Sequence, residues 1–181
     1  NQNLLVVSVC ISLDILVNNG NTSDSALSYA YGSLILSNLT IRQYKIGSLA
    51  GQVAMSMIDQ GFNAPQECPV MVLTHGYIFQ YQKPLKKKIQ KLFKADQIGM
   101  DNGNLEYASY AIAKGTMSLF CSGENLEEVI DVTKNCTPFL KKHWLLNCFF
   151  TNCTIIAISK YLRNPLNYSY YPNKYWQLKQ D

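Results

Sequence analysis

Few residues of this chain combine the type and spacing that chemistry needs. It has two histidines, His75 and His143. A catalytic histidine works against a nucleophile or carboxylate within hydrogen-bond reach. His75 lies in an apolar run beside Gly76, the setting of a packed side chain, and His143 follows Lys141 and Lys142, the setting of a surface residue. The six cysteines, Cys10, Cys68, Cys121, Cys136, Cys148 and Cys153, form no metal-ligand spacing. They read as buried reduced thiols. No phosphate-cradling Gly-x-x-x-x-Gly-Lys-Ser/Thr loop or Gly-x-Gly-x-x-Gly fingerprint occurs. Gly47 and Gly51 are spaced for close helix packing, and Glu124, Glu127 and Glu128 open a helix, where negative charge suits the macrodipole. No catalytic residue, metal or cofactor is therefore expected, and this segment reads as not an enzyme.

Binding is the better use of the distinctive residues. Lys83, Lys86, Lys87, Lys88, Lys91 and Lys94 surround an apolar stripe of Leu85, Ile89, Leu92 and Phe93. That is a basic amphipathic helix, a type that touches anionic membranes or nucleic acid. The bland alternative is the solvated outer face of a packed helix; an acidic protein partner is a further use. Tyr29, Tyr31, Tyr77, Tyr107 and Tyr110 form a second candidate surface, because exposed tyrosines make contacts at low entropic cost. The same residues would serve equally well as core aromatics, and sequence does not choose between the two.

These side chains must be positioned by helices. Apolar residues recur at three- and four-residue spacing, and strand alternation with hairpin turns is missing. The spacing predicts helices over 4–18, 24–38, 41–60, 67–81, 84–100, 105–122, 125–135 and 143–163. The breaks repeat: Asn18-Asn19-Gly20-Asn21 recurs as Asp59-Gln60-Gly61-Phe62 and again as Asp101-Asn102-Gly103-Asn104, at offsets of 41 and 42. Glycine just past a helix end supplies a left-handed cap. Gly32, Gly76 and Gly115 sit near the middle of the helices that follow, where glycine costs about 1 kcal/mol against alanine and points to close helix approach. Helix pairs at a period near 41–42 predict an all-α, tetratricopeptide-like α-solenoid, whose units bury their apolar faces only by stacking. It would occupy residues 1–163, followed by an aromatic-rich tail over 164–181 with Tyr168, Tyr170, Tyr171, Tyr175 and Trp176.

Composition agrees with a helical array that leans on neighbours. Only 15% of residues are charged against 48% hydrophobic, so much of the chain must be buried or in contact. A net charge of +4 is too mild to imply nucleic acid. The most apolar runs, Leu4–Val17 and Leu145–Ile158, fall short of the roughly 20 residues of a membrane span, and the first lacks the basic flank of a signal peptide. A cytoplasmic location is expected. The start at Asn1 fits a segment of something longer. Asn-x-Ser/Thr sequons at Asn21, Asn38, Asn135, Asn152 and Asn167 would matter only in a secreted protein.

Two strings resemble a known family. Asn18–Gly51, with Asn-Asn-Gly-Asn, Ser25-Ala26, Tyr29-Ala30-Tyr31-Gly32 and Leu34-Ile35-Leu36, is one. Gln97-Ile98-Gly99 followed by Asp101-Asn102-Gly103-Asn104-Leu105-Glu106-Tyr107-Ala108 is the other. Both are similar to the tetratricopeptide-like helical region of large bacterial signalling proteins that join a serine/threonine kinase, an AAA-type (STAND-like) ATPase, a GAF sensor and a histidine kinase. The resemblance covers about residues 10–130 and carries no catalytic residue. It implies a non-catalytic interaction and signal-relay module, bound to a protein partner or to neighbouring domains of its own chain. Peripheral membrane or nucleic-acid-surface binding through 83–94, or an unrecognised helical enzyme site, are the other readings.

Overall fold

The computed structural model describes residues 2–38, 41–61, 64–79 and 84–165. Phe62, Lys83, the sequon at Asn167 and the aromatic run from Tyr168 to Trp176 lie outside the described residues. Among the described residues the chain is all helical: α1 Gln2–Asn19, α2 Ser25–Leu36, α3 Tyr44–Asp59, α4 Glu67–Leu73, α5 Leu85–Asp101, α6 Leu105–Cys121, α7 Leu126–Lys142 and α8 Leu146–Arg163. A short 3₁₀ turn, Ala64–Gln66, leads into α4, and a π turn, Thr74–Ile78, extends it.

Local chemistry sets most boundaries. Gly20, Gly61 and Gly103 follow α1, α3 and α5 with φ of +90°, +84° and +72°, a region closed to most side chains. Asn104 and Asn125 cap α6 and α7 by accepting hydrogen bonds from the backbone N–H of Tyr107 and Glu127. Among the boundaries that differ from the sequence expectation, three have a local cause. α3 starts at Tyr44, after Arg42 adopts φ +57°, and α8 starts at Leu146, after Trp144 adopts φ +56°. α7 continues through Pro138 to Lys142 instead of ending at 135. Leu140 anchors that last turn in the core, and Lys141 and Lys142 complement its carbonyl end.

The interior is a succession of small cores, each shared by helices close in sequence. Ala26, Ala30, Ala54, Met57, Val70 and Leu73 join α2, α3 and α4. Cys68, Met71, Val72, Ala95 and Ala111 join α4, α5 and α6. Ile112, Leu140, Cys148, Phe149 and Cys153 join α6, α7 and α8, with Leu119, Val129 and Ile155 alongside. The even-numbered helices pack in order, α2 on α4, α4 on α6 and α6 on α8.

The mid-helix glycines mark close approaches. A Cβ at Gly32 would lie 2.7 Å from Leu13 of α1, and one at Gly115 would lie 3.2 Å from the Phe93 ring of α5. Gly76 follows the same pattern, since a Cβ there would lie 3.3 Å from the Lys114 stem of α6. Gly47 also serves packing: the Ser33 hydroxyl donates to its carbonyl, and a Cβ there would lie 2.9 Å from the Ser33 carbonyl oxygen.

No helix among the described residues is long and apolar enough to cross a membrane. Even so, α1 is apolar around most of its circumference. Leu4, Leu5, Val6, Val7, Ile11, Ile15 and Val17 are exposed, while Val9 and Leu16 are buried. Ile46, Leu49 and Val53 of α3 are exposed as well.

Candidate functional site

α2 carries Tyr29 and Tyr31, α6 carries Tyr107 and Tyr110, and the π turn after α4 carries Tyr77; all five are half-buried. Tyr29 donates its hydroxyl to Asn21 Oδ1 at 3.2 Å and packs with Tyr31 and Tyr107 against the first core. Tyr31 and Tyr107 share a hydroxyl–hydroxyl hydrogen bond between α2 and α6. Tyr107 meets Tyr110 edge to face at 5.8 Å. The Tyr110 hydroxyl donates to Glu106 Oε1 at 2.9 Å. Tyr77, from the π turn, packs with Tyr107 and Tyr110 against the second core. Neither pure alternative holds: each ring joins core and surface. The phenols of Tyr77, Tyr107 and Tyr110 resist ionisation. The Glu106 hydrogen bond, then burial, pushes Tyr110 up to about 12, and burial first, then the Tyr31 hydrogen bond, raises Tyr107.

A cleft of about 210 Å3 opens beside this row, between the π turn, α6 and α8. Tyr77, Tyr110, Ala113, Lys114, Met117, Asn147, Cys148 and Thr151 line it. The Lys114 ammonium lies 4.0 Å above the Tyr77 ring centroid, a cation–π contact. Thr74, also in the π turn, donates its hydroxyl to the carbonyls of Val70 and Met71 at 2.7 and 3.3 Å. Such back-bonding competes with the helical ladder where the α-helix widens. Of this lining the sequence expectation named Tyr77 and Tyr110, and not Lys114, Met117, Asn147, Cys148 or Thr151. No local pattern joins a lysine of α6 to a glycine-made gap in α4.

The lysine helix needs a correction. Lys88 was expected on a binding surface, but it is 1% exposed, on the buried stripe of Leu92, Ala95, Asp96 and Gly99. That stripe is rotated from the predicted one, so Ile89 and Phe93 become half-buried flanks. Glycine explains the rotation: Gly99 lets α5 approach Cys68 of α4 and Ala108 of α6, and the helical period then turns Lys88 inward. Burial lowers the Lys88 pKa, and its Nζ has no hydrogen-bond partner among the described residues. Lys86, Lys87 and Lys91 are exposed. Lys86 pairs with Glu124 at 2.8 Å, and Lys94 pairs with Glu67 at 3.6 Å.

The groups weighed for catalysis lie apart. His75 is buried edge-on against Phe79 at 5.3 Å, and His143 is half-buried at the end of α7 beside the Phe139 ring. Cys68, Cys148 and Cys153 are buried, whereas Cys10 and Cys121 are exposed and Cys136 is intermediate. Burial pushes the Cys68 thiol up to about 12 and the Cys136 thiol to about 11, with the Asp96 charge adding to both. Thiols so raised are poor nucleophiles. Among the described residues no group of three or more His, Cys, Asp or Glu could hold a metal ion. Asn152 is fully buried, which removes its sequon as a modification site in the folded chain. No protein family, curated protein or solved structure matches the chain.

Proposed function

We propose that the chain is a tetratricopeptide-like solenoid working as a non-catalytic protein-interaction and relay module. The observation that carries this reading is the apolar, exposed outer side of α1 and α3. On α1, Leu4 is 66% exposed and Val17 is 77% exposed, with Leu5, Val7, Ile11 and Ile15 exposed too, and on α3 Ile46, Leu49 and Val53 are exposed. Clustered apolar exposure of this kind on a helix marks a site for contact with another body. The succession of cores and the ordered packing of α2, α4, α6 and α8 support the solenoid arrangement. The residue strings around Asn18–Gly51 and Gln97–Ala108 support a parent of the multi-domain kinase and ATPase type.

The test is calorimetric binding of the chain to ATPase and GAF domains of such signalling proteins at physiological salt. Saturable binding that is lost when Ile11, Ile15, Leu49 and Val53 become serine supports the reading. Retained binding in that variant, or none with the native chain, overturns it. A membrane-surface role is the second reading, favoured by exposed Lys87 and Lys91 on one helix. It requires binding to anionic vesicles that weakens steeply with salt and disappears in Lys87→Glu/Lys91→Glu. The pairing of Lys86 and Lys94 with glutamates reduces the charge left for it.

A further inference from the structure

Lys114 is the unbalanced charge of the molecule's tyrosine face. Its side chain is half-buried, and it makes no ion pair among the described residues. Gly76 makes this position available. A Cβ there would lie 3.3 Å from the Lys114 stem, whose ammonium reaches the Tyr77 ring. The ring face compensates only part of a desolvated charge, by about 0.5–2 kcal/mol. Glu106, the acid nearest along α6, is engaged by the Tyr110 hydroxyl instead. Burial accordingly lowers the Lys114 pKa, the direction expected of a cation without a counter-ion.

The rest of the cleft describes what would supply that counter-ion. Tyr77, Tyr110, Ala113 and Met117 give apolar walls, while Asn147 and Thr151 give a polar rim. A volume of about 210 Å3 lies below the range of about 300–1,000 Å3 typical of small-molecule sites, so it suits a single side chain. From Tyr110, which lines the cleft, ring and hydroxyl contacts run through Tyr107 to Tyr31 and so from α6 to α2. An extended polypeptide could follow that row; a free metabolite would make no use of it.

We propose that this cleft receives the carboxylate side chain of an acidic residue in a partner polypeptide. Lys114 is its counter-ion, and Tyr77, Tyr110 and Met117 enclose its methylene stem. The assignment rests on the interaction-module reading and adds to it a second surface, separate from the apolar side of α1 and α3.

The experiment selects a phage-displayed random dodecapeptide library against the native chain, then measures the enriched peptides by fluorescence anisotropy at physiological salt. Enriched peptides are expected to share an Asp or Glu. Changing that residue to its amide, or Lys114→Met, should each weaken binding by more than about tenfold, and the two changes together should be less than additive. Lys114→Arg should retain much of the affinity. Met117→Glu, at the exposed rim, should place a competing carboxylate by Lys114 and weaken binding with the helical circular dichroism unchanged. Peptides without a shared acid, or binding indifferent to Lys114→Met and Met117→Glu, overturn the assignment and leave the interaction reading standing. Failure to enrich any peptide also overturns it, and the serine variant of the α1 and α3 face then judges the broader reading independently.

Discussion

The hydroxyls of Tyr31 and Tyr107 share one hydrogen bond across 76 positions of sequence, tying α2 directly to α6. Both rings pack against the core that α2 and α3 share with Val70 and Leu73 of α4. Tyr31→Phe or Tyr107→Phe alone leaves a half-buried hydroxyl without this partner, at an expected cost of about 0.5–1.5 kcal/mol. The double variant should cost less than the sum, because neither hydroxyl is then stranded. Urea midpoints of the four proteins check this; strict additivity would show that the bond contributes nothing.

Asp96 gives the fold a pH dependence. Its carboxyl is buried, one oxygen lacks a hydrogen-bond partner among the described residues, and burial raises its pKa from 3.8 to about 6. The folded chain therefore holds its proton more tightly than the unfolded chain. Stability is full below the unfolded value, falls as pH rises from about 4 to about 6, and is level above that. Asp96→Asn should raise stability by about 1–3 kcal/mol at neutral pH and have little effect below pH 4. Thermal melts across that range test the sign; equal effects at acid and neutral pH would refute it.

Lys88 is a second burden on the same helix. Its ammonium is removed from water with no partner among the described residues. Lys88→Met keeps the packed stem and removes the charge, with an expected gain of about 1–3 kcal/mol. The gain should shrink at high pH, where the native lysine loses its proton. Vesicle affinity should not change, since Lys88 is not on the surface; a loss equal to that of Lys87→Glu would mean that it is reachable.

Two glycine substitutions should have opposite costs. A Cβ at Gly99 would meet Cys68 Sγ at 2.7 Å and Ala108 Cβ and Cα at 2.9 and 3.2 Å, so backbone must move. Gly99→Ala is expected to destabilise by about 1–3 kcal/mol. At Gly32 the obstacle is the tip of Leu13, on the largely exposed α1, which can turn aside. There the helix-propensity gain of up to about 1 kcal/mol offsets the contact, and Gly32→Ala should be nearly neutral. Denaturant midpoints of both variants decide; similar losses would show α1 to be held firmly.

Sequence alone determined the helices and most of their ends, because those features are local. Apolar spacing sets a helix, and glycine past its end accepts a left-handed conformation that other residues resist. Hence the repeated breaks at Gly20, Gly61 and Gly103 were readable, as was the close packing at Gly32 and Gly115. The π turn after Leu73 was not, because a register change within one helix leaves its apolar spacing nearly intact. Tertiary structure alone decided which side of α5 turns inward. Lys88, Leu92, Ala95 and Gly99 compete for burial with Leu85, Ile89 and Phe93, and only the closeness of Cys68 and Ala108 to Gly99 resolves it. It likewise brought Lys114 over Tyr77, since a gap left by glycine on one helix gains meaning only from the side chain that another helix lays across it.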